Sequence, residues 1–321
     1  MKALLDDMAP VSPSAWSGAG PFRKINERLV YVFLLGCAAI TVLTTVGIVV
    51  VLGVEAVRFF EVTKVPLIGF LTGTDTKLNP TGPSPKFGIL PVIWGTTVIA
   101  VGSSCIALPI GLLSAIYLSE YAPRSVRTVI KPTLELLAGV PTIVYGFLAL
   151  LLITPTLKAV LTPLGLQVDT YNALSACIVV GIMIIPMVSS LSEDVLSAVP
   201  RGLREAGYGL GATKFEVSTR IVLPAALSGV TASFILAISR AIGETMAVVL
   251  AAGIRPQLTL NPLTSIETMT AYMVGAIGGD APVGGPKYLS LFAVGMTLFC
   301  STLLLNILSS LVLRRFREVY Q

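Results

Sequence analysis

The sequence predicts an all-α integral membrane protein of six transmembrane helices, and three observations predict it. Of 321 residues, 54% are hydrophobic and only 12% are charged. Soluble domains carry about 25% charged residues, so this chain lacks the polar residues to cover a soluble fold of its length. Long runs free of charge recur along it, and about 20 apolar residues are enough to cross a bilayer core about 30 Å thick. Lys and Arg fall unevenly between the connecting loops.

The spans read off in order. Residues 29–54, 87–119, 136–157, 170–192 and 288–313 carry no charge. Residues 221–254 supply one more span, fifth in chain order, interrupted only by Arg240 and Glu244. Six spans put both termini on one side. The basic clusters around Arg23, Arg124, Arg201 and Arg314 fall on that side, which carries about twice the Lys and Arg of the other. The positive-inside rule then places both termini in the cytoplasm.

Segment 87–119 exceeds one straight span. Pro91 and Pro109, with Gly95, Gly102 and Gly111, predict a tilt, a kink or an interfacial lead-in. Segment 138–146, AGVPTIVYG, predicts a locally irregular helix, which a membrane tolerates only beside protein or a polar cavity. Residues 55–86 read as a polar external loop. The external loop 255–287 carries a short amphipathic helix over 265–277, with Ile266, Met269, Met273 and Ile277 at helical spacing. Residues 1–22, rich in Ser, Pro, Ala and Gly, read as a loosely packed cytoplasmic tail rather than a signal peptide. Residues 23–321 then form one membrane domain.

Composition also excludes chemistry. The chain has no histidine, which removes His-based zinc sites and imidazole triads. Cys37, Cys105, Cys177 and Cys300 sit in separate apolar segments without a CxxC and read as small buried hydrophobes. No catalytic set, metal or cofactor is expected. The net charge of +5 reads as membrane topology, with no nucleic-acid partner.

The loop between spans four and five is the most specific signal: REAGYGLGATKFEVSTRIVLPAA, residues 204–226. Pro200 can open a short helix. Ala206, Leu210, Ala212 and Phe215 give it a modest apolar face. Gly207, Gly209 and Gly211 each weaken it by about 1 kcal/mol relative to Ala, so it needs a partner surface. The Gly207-x-Gly209-x-x-Ala212 pattern follows no strand and is no dinucleotide site. There is no GxxxxGK[ST], so the chain is not expected to hydrolyse ATP.

Glu205-Ala206-Gly207, three residues, Gly211, nine residues, then Ile221-Val222-Leu223-Pro224 resembles the EAA motif of ABC-importer permeases. That motif runs E-A-A, three residues, G, nine residues, I-x-L-P, and only Gly207 departs from it. The resemblance implies that this loop is a cytoplasmic coupling helix between spans four and five. It would dock in a groove of an ATPase and pass its closure to the spans. SRAIGETMAV at 239–248, KFGILPVIWGTTVIA at 86–100, LSEYAP at 118–123 and LAGVPTIVYGF at 137–147 resemble the phosphate-importer branch, from the first span to the C-terminus. That likeness implies a multi-pass, non-catalytic permease of the bacterial inner membrane that forms a pathway for inorganic phosphate. It implies a second, sister permease, an ATPase dimer and an external phosphate-binding protein as partners. A permease of the same architecture for sulfate or molybdate is the alternative. A secondary transporter driven by ion gradients fits the coupling loop poorly, and an intramembrane enzyme lacks its nucleophile, base and metal.

Arg240 lies near the middle of 221–254, where an arginine costs roughly 2.5–3.5 kcal/mol. A charge kept there is a functional hypothesis by default. Spacing of four predicts Arg240 and Glu244 on one helical face, turned to a subunit interface or a water-filled pathway. One reading is a self-satisfied pair, although Arg before Glu is the weaker helical order. The other is an oxyanion contact, since a planar guanidinium suits phosphate oxygens. Glu244 would then fix the Arg240 rotamer and speed release, or accept a hydrogen bond from a protonated phosphate oxygen. A single continuous element from loop to pair would carry the motor movement. Glu135 reads as an interfacial or subunit contact. Glu193 and Asp194 read as solvated or paired with Arg201 and Arg204.

Overall fold

The computed structural model describes residues 21–76, 87–279 and 282–315 of the chain. Two compact units divide it, Met1–Val54 and Glu55–Gln321. The first unit, where described, is the opening of α1 (Pro21–Thr63), whose apolar side chains are exposed all round. A helix apolar on every side is built for lipid or a membrane partner, not for water. The tail expected over 1–22 lies outside the described residues, except for Pro21 and Phe22, which begin α1.

In the second unit, α1 runs past its expected end at Val54, through Arg58 to Thr63. Glu55 and Arg58 pair one turn apart at 3.7 Å, and the positive φ of Lys64 (53°) stops the helix. A short α2 (Leu67–Thr72) follows. Phe59 meets Phe70 and Phe87 with ring centroids 5.5 and 5.0 Å apart. The stretch expected as a polar loop is therefore partly helical. Its few aromatics supply the apolar anchor that average polarity hid.

The remaining helices are α3 (Leu90–Ile116), prolonged by a π-helical turn Tyr117–Tyr121, and α4 (Arg124–Ala138). Next come α5 (Thr142–Leu148), a π-helical turn Ala149–Ile153, α6 (Thr154–Leu161) and α7 (Ala173–Ala198). Then follow α8 (Arg201–Gly209), α9 (Lys214–Ala225), α10 (Leu227–Ile242) and α11 (Met246–Ala252). The last two are α12 (Met269–Ile277) and α13 (Pro286–Arg315). No strand occurs among the described residues.

Five helical stretches are long and apolar enough to cross a membrane: Asn26–Thr63, Leu90–Tyr121, Thr142–Leu164, Ala173–Ala198 and Pro286–Leu311. The pair α9 and α10, bent by 73°, brings the total to six. The expected all-α, six-span architecture is what the chain adopts. The third span starts later than 136, because Gly139–Pro141 separates it from α4. That break is the irregularity AGVPTIVYG predicted.

The core is α7 against α3. Gly102 lies so close to Cys177 that a Cβ there would overlap its sulfur, and a Cβ on Gly111 would come within 2.6 Å of Val188. Small residues at such contacts let membrane helices approach closely, since lipid gives no hydrophobic drive between them. Ser189 donates to Ser114 across the pair at 3.0 Å. The buried Asn172 caps α7 by accepting from the Ser175 amide at 2.7 Å. Of the cysteines, only Cys177 is buried; Cys37, Cys105 and Cys300 lie on exposed faces of their helices, contrary to the expectation for all four. The amphipathic helix expected over 265–277 begins at Met269, because Thr268 caps it through the Ala271 amide at 3.1 Å.

Candidate functional site

Arg240 and Glu244 do not share a helical face. Helix α10 ends at Ile242 and α11 starts at Met246, with Gly243–Thr245 outside either. The apolar run 221–254 is three helical pieces, bent at Ala226 and broken at Gly243. The continuous element that sequence suggested is absent. Gly243 lowers helix propensity at the break, and tertiary bonds replace those the helix loses. The Glu244 carboxylate accepts from the Ala247 amide of α11 at 3.3 Å. Its backbone carbonyl accepts from the Thr270 hydroxyl at 2.8 Å.

Each charge thus complements the helix end where it sits. Arg240 occupies the last turn of α10, where converging carbonyls favour a cation. Glu244 precedes α11, where free amides favour an anion. Glu244 is 7% exposed. Arg240 is exposed, and among the described residues it forms no ion pair, so the self-satisfied pair does not form. Tyr145 of α5 donates to Leu137 C=O at 3.0 Å. Ser239, adjacent to Arg240, turns to Asn306 on α13, at 2.9 Å.

On another side of α10 lies a cavity of about 480 Å³, lined by α3, α10 and α13. No charged residue lines it, and its Thr96, Thr97, Ser104 and Ser301 hydroxyls donate to their own helices. It suits hydrocarbon, not an anion.

Sequence reasoning passed over Glu267. It is 6% exposed, among the described residues no hydrogen bond or ion pair reaches its carboxylate, and burial pushes that carboxyl up to about 8. Its carbonyl lies against Gly95, leaving no room for a Cβ there. A signal existed: Glu-Thr-Met occurs at 244–246 and again at 267–269, each time at a helix start.

The loop 204–226 is built as its motif demands. At the end of α8, Ala212 N–H donates to Gly207 C=O at 3.1 Å and Gly211 N–H to Tyr208 C=O at 3.0 Å. This is the Schellman pattern, which needs a left-handed residue at the position Gly211 holds with φ +82°. Thr213 and Glu216 form a capping box that starts α9. Gly207 is buried, and a Cβ there would stand 2.6 Å from Ile221 Cδ1. The departure from the motif at Gly207 is therefore filled by another motif residue. Leu223 and Pro224 form the final turn of α9 before the bend. Glu205, Ala206, Leu210 and Phe215 face outward, with Leu210 90% and Phe215 68% exposed. An outward apolar edge of this kind marks a contact surface.

Behind the loop stands an ion-pair network. Glu193 is fully buried and pairs with Arg127 and Lys131 of α4, the latter at 2.8 Å, while Ser197 donates to it at 2.7 Å. Asp194 also pairs with Lys131. Arg204 pairs with Glu120 at 2.9 Å. The expected partners Arg201 and Arg204 are thus replaced for Glu193 and Asp194 by α4, most of which the sequence reading left as cytoplasmic loop ahead of span three. Glu135 is exposed on α4.

Six spans with a capped helix–loop between the fourth and fifth define a permease of the ABC-importer class. The chain belongs to the family described as binding-protein-dependent transport system inner membrane component, which matches residues 107–318. It is therefore a multi-pass inner-membrane transport subunit. It is 33% identical to a probable ABC transporter permease, YqgH, of Bacillus subtilis, over 90% of this chain and 92% of that one. It is 37% identical to the phosphate transport system permease PstC of Xylella fastidiosa (strain Temecula1), over 75% and 77% of the two chains. PstC of Mesorhizobium japonicum is 33% identical over 84% and 86%. Among solved structures, a bacterial alginate ABC transporter in complex with its pentasaccharide-bound periplasmic protein superposes with a TM-score of 0.60. The identity is 14%, over 93% of this chain and 99% of that one, so the likeness shows the fold.

Proposed function

We propose that this chain is the permease subunit of an ATP-driven importer of inorganic phosphate. The observation that carries the substrate is its similarity, over three quarters of its length or more, to relatives named as phosphate permeases. Both termini and the coupling helix α8 face the cytoplasm. An ATPase dimer receives the outward edge of the loop: Glu205, Ala206, Leu210 and Phe215. Gly207, Gly211, Ile221, Leu223 and Pro224 shape it from behind. A sister permease completes the pathway, and an external phosphate-binding protein delivers the ion.

Within the pathway, Arg240 is the anion contact. It is exposed on this chain and forms no ion pair among the described residues, so its fork can meet phosphate oxygens. Glu244 is the positioning residue. It fixes the start of α11 and so the break from which Arg240 projects. A single exposed arginine makes a weak, transient contact, which passage requires.

The test is uptake of labelled phosphate by the assembled complex in proteoliposomes, with sulfate and molybdate as competitors. Phosphate alone should compete strongly. Arg240→Gln should lower uptake about 100-fold, the loss of two charge-assisted hydrogen bonds of about 1.5 kcal/mol each. Wild-type uptake by that variant would remove Arg240 from the pathway. Uptake unaffected by an ATPase-dead partner would overturn the class of mechanism.

A further inference from the structure

The proposed coupling helix and the helix that follows it are each held to one turn of the bundle. At its start, Arg204 donates to Glu120 from Nε at 3.2 Å and from a terminal nitrogen at 2.9 Å. The same guanidinium donates to Val199 C=O at 2.5 Å and to Leu196 C=O at 2.8 Å, at the C-terminal end of α7. Beyond the loop, the Lys214 ammonium stands 4.9 Å from the centroid of the Tyr121 ring. Glu120 and Tyr121 both belong to the π-helical turn Tyr117–Tyr121 that closes α3.

The contact is protected from solvent. The Glu120 side chain is 4% exposed and that of Arg204 16%. It also adjoins the network behind it. Ser119 donates to Glu120 at 3.1 Å, and its hydroxyl oxygen lies 3.5 Å from that of Ser197, whose single proton goes to Glu193 at 2.7 Å. From Glu193 the ion pairs run to α4.

The alternative route is along the chain, from α8 through α9 into α10. That route crosses a 73° bend at Ala226 and ends at the break after Ile242. A bent and interrupted helix does not transmit a push along its axis. A planar guanidinium with four hydrogen bonds to two other helices does transmit a displacement, because it is rigid and directional.

We propose that Arg204 is the positioning residue that joins the coupling helix to the ends of α3 and α7. The ATPase stroke then enters the bundle sideways, through Glu120 and the end of α7, rather than along α9 and α10. This rests on the reading of α8 as the coupling helix. It adds a role for Arg204 and Glu120, which lie outside the docking edge.

Glu120→Gln tests it, since that substitution keeps the shape of the side chain and leaves the loop surface untouched. In the full complex with its ATPases, sister permease and binding protein, phosphate transported per ATP hydrolysed should fall about five-fold or more. Co-purification of the ATPase should be unchanged. Arg204→Lys, which keeps the charge and loses the fork, should show the same split. A merely structural role would lower yield or melting temperature and leave the ratio intact. An unchanged ratio in Glu120→Gln overturns the proposal, whether or not Arg204→Lys assembles. A wild-type complex without phosphate-stimulated ATP turnover would instead overturn the reading of α8, a separate failure visible before any variant is made.

Discussion

The tripeptide Glu-Thr-Met opens two helices of this protein and does so by two different divisions of labour. Before α11, the Glu244 carboxylate takes the Ala247 amide, and Thr245 makes no capping bond. Before α12, Thr268 takes the Ala271 amide, and Glu267 is buried with no hydrogen bond or ion pair to its carboxyl among the described residues. The two starts touch: the Thr270 hydroxyl donates to Glu244 C=O and lies 3.0 Å from the Thr268 hydroxyl. Identical local sequence fixes a helix start in both cases. The fold decides which side chain caps it.

The sharpest way to break this comparison is at Glu244. If the residue acts as a cap, Glu244→Gln keeps an acceptor oxygen and retains half or more of phosphate uptake. Glu244→Ala loses the cap, about 1 kcal/mol, and uptake falls about five-fold or more. Equal loss in the two variants would show that the negative charge itself is needed.

Glu267 gives the next effect, and its sign is fixed by burial. Burial pushes its carboxyl up to about 8 in the fold, from an ordinary value of 4.5. Between those values the folded state holds the extra proton, so stability falls as pH rises through that window, by up to about 1.4 kcal/mol per unit. Below the window the residue contributes no pH dependence. Thermal unfolding in detergent should therefore show a melting temperature that drops from pH 6 to pH 8. Glu267→Gln should flatten the drop, and an unchanged slope would mean that the carboxyl is ionised in the fold.

The smallest effect separates the two threonines. Thr268→Ala should cost about 1 kcal/mol of stability as a lost cap, while Thr245→Ala should cost little, as no capping bond is lost. Denaturant midpoints of the two variants, compared side by side, measure this. Equal losses would erase the distinction between the two starts.

Much of the architecture was legible because hydropathy is a sum over about twenty residues and survives local error. The shape of the loop 204–226 was legible because its geometry rests on a few residues with strict needs, Gly211 above all. The break at Gly243 was not legible: Ala241, Ile242 and Met246 continue an apolar run, and one glycine is a weak stop. What makes the break stable is Thr270, 26 residues away. The same holds for Arg204 and Glu120, which are 84 residues apart. Spacing rules describe neighbours on one helix, and the site is made of neighbours on different ones. Glu267 escaped because its backbone packs against Gly95 of α3, a contact that no local pattern announces.

The open helix end at Glu244 has a consequence for the order in which the protein is made. Its carbonyl has no hydroxyl to bond until Thr270 has been synthesised and has entered the fold. Until then, the fifth span meets the insertion machinery with that carbonyl unbonded by Thr270 and with a near-central arginine. By contrast, α1 needs nothing that comes after it to sit in lipid. Biogenesis should therefore be rate-limited in the second half of the chain. The fifth span waits beside the translocon for the segment that follows it, and the first does not.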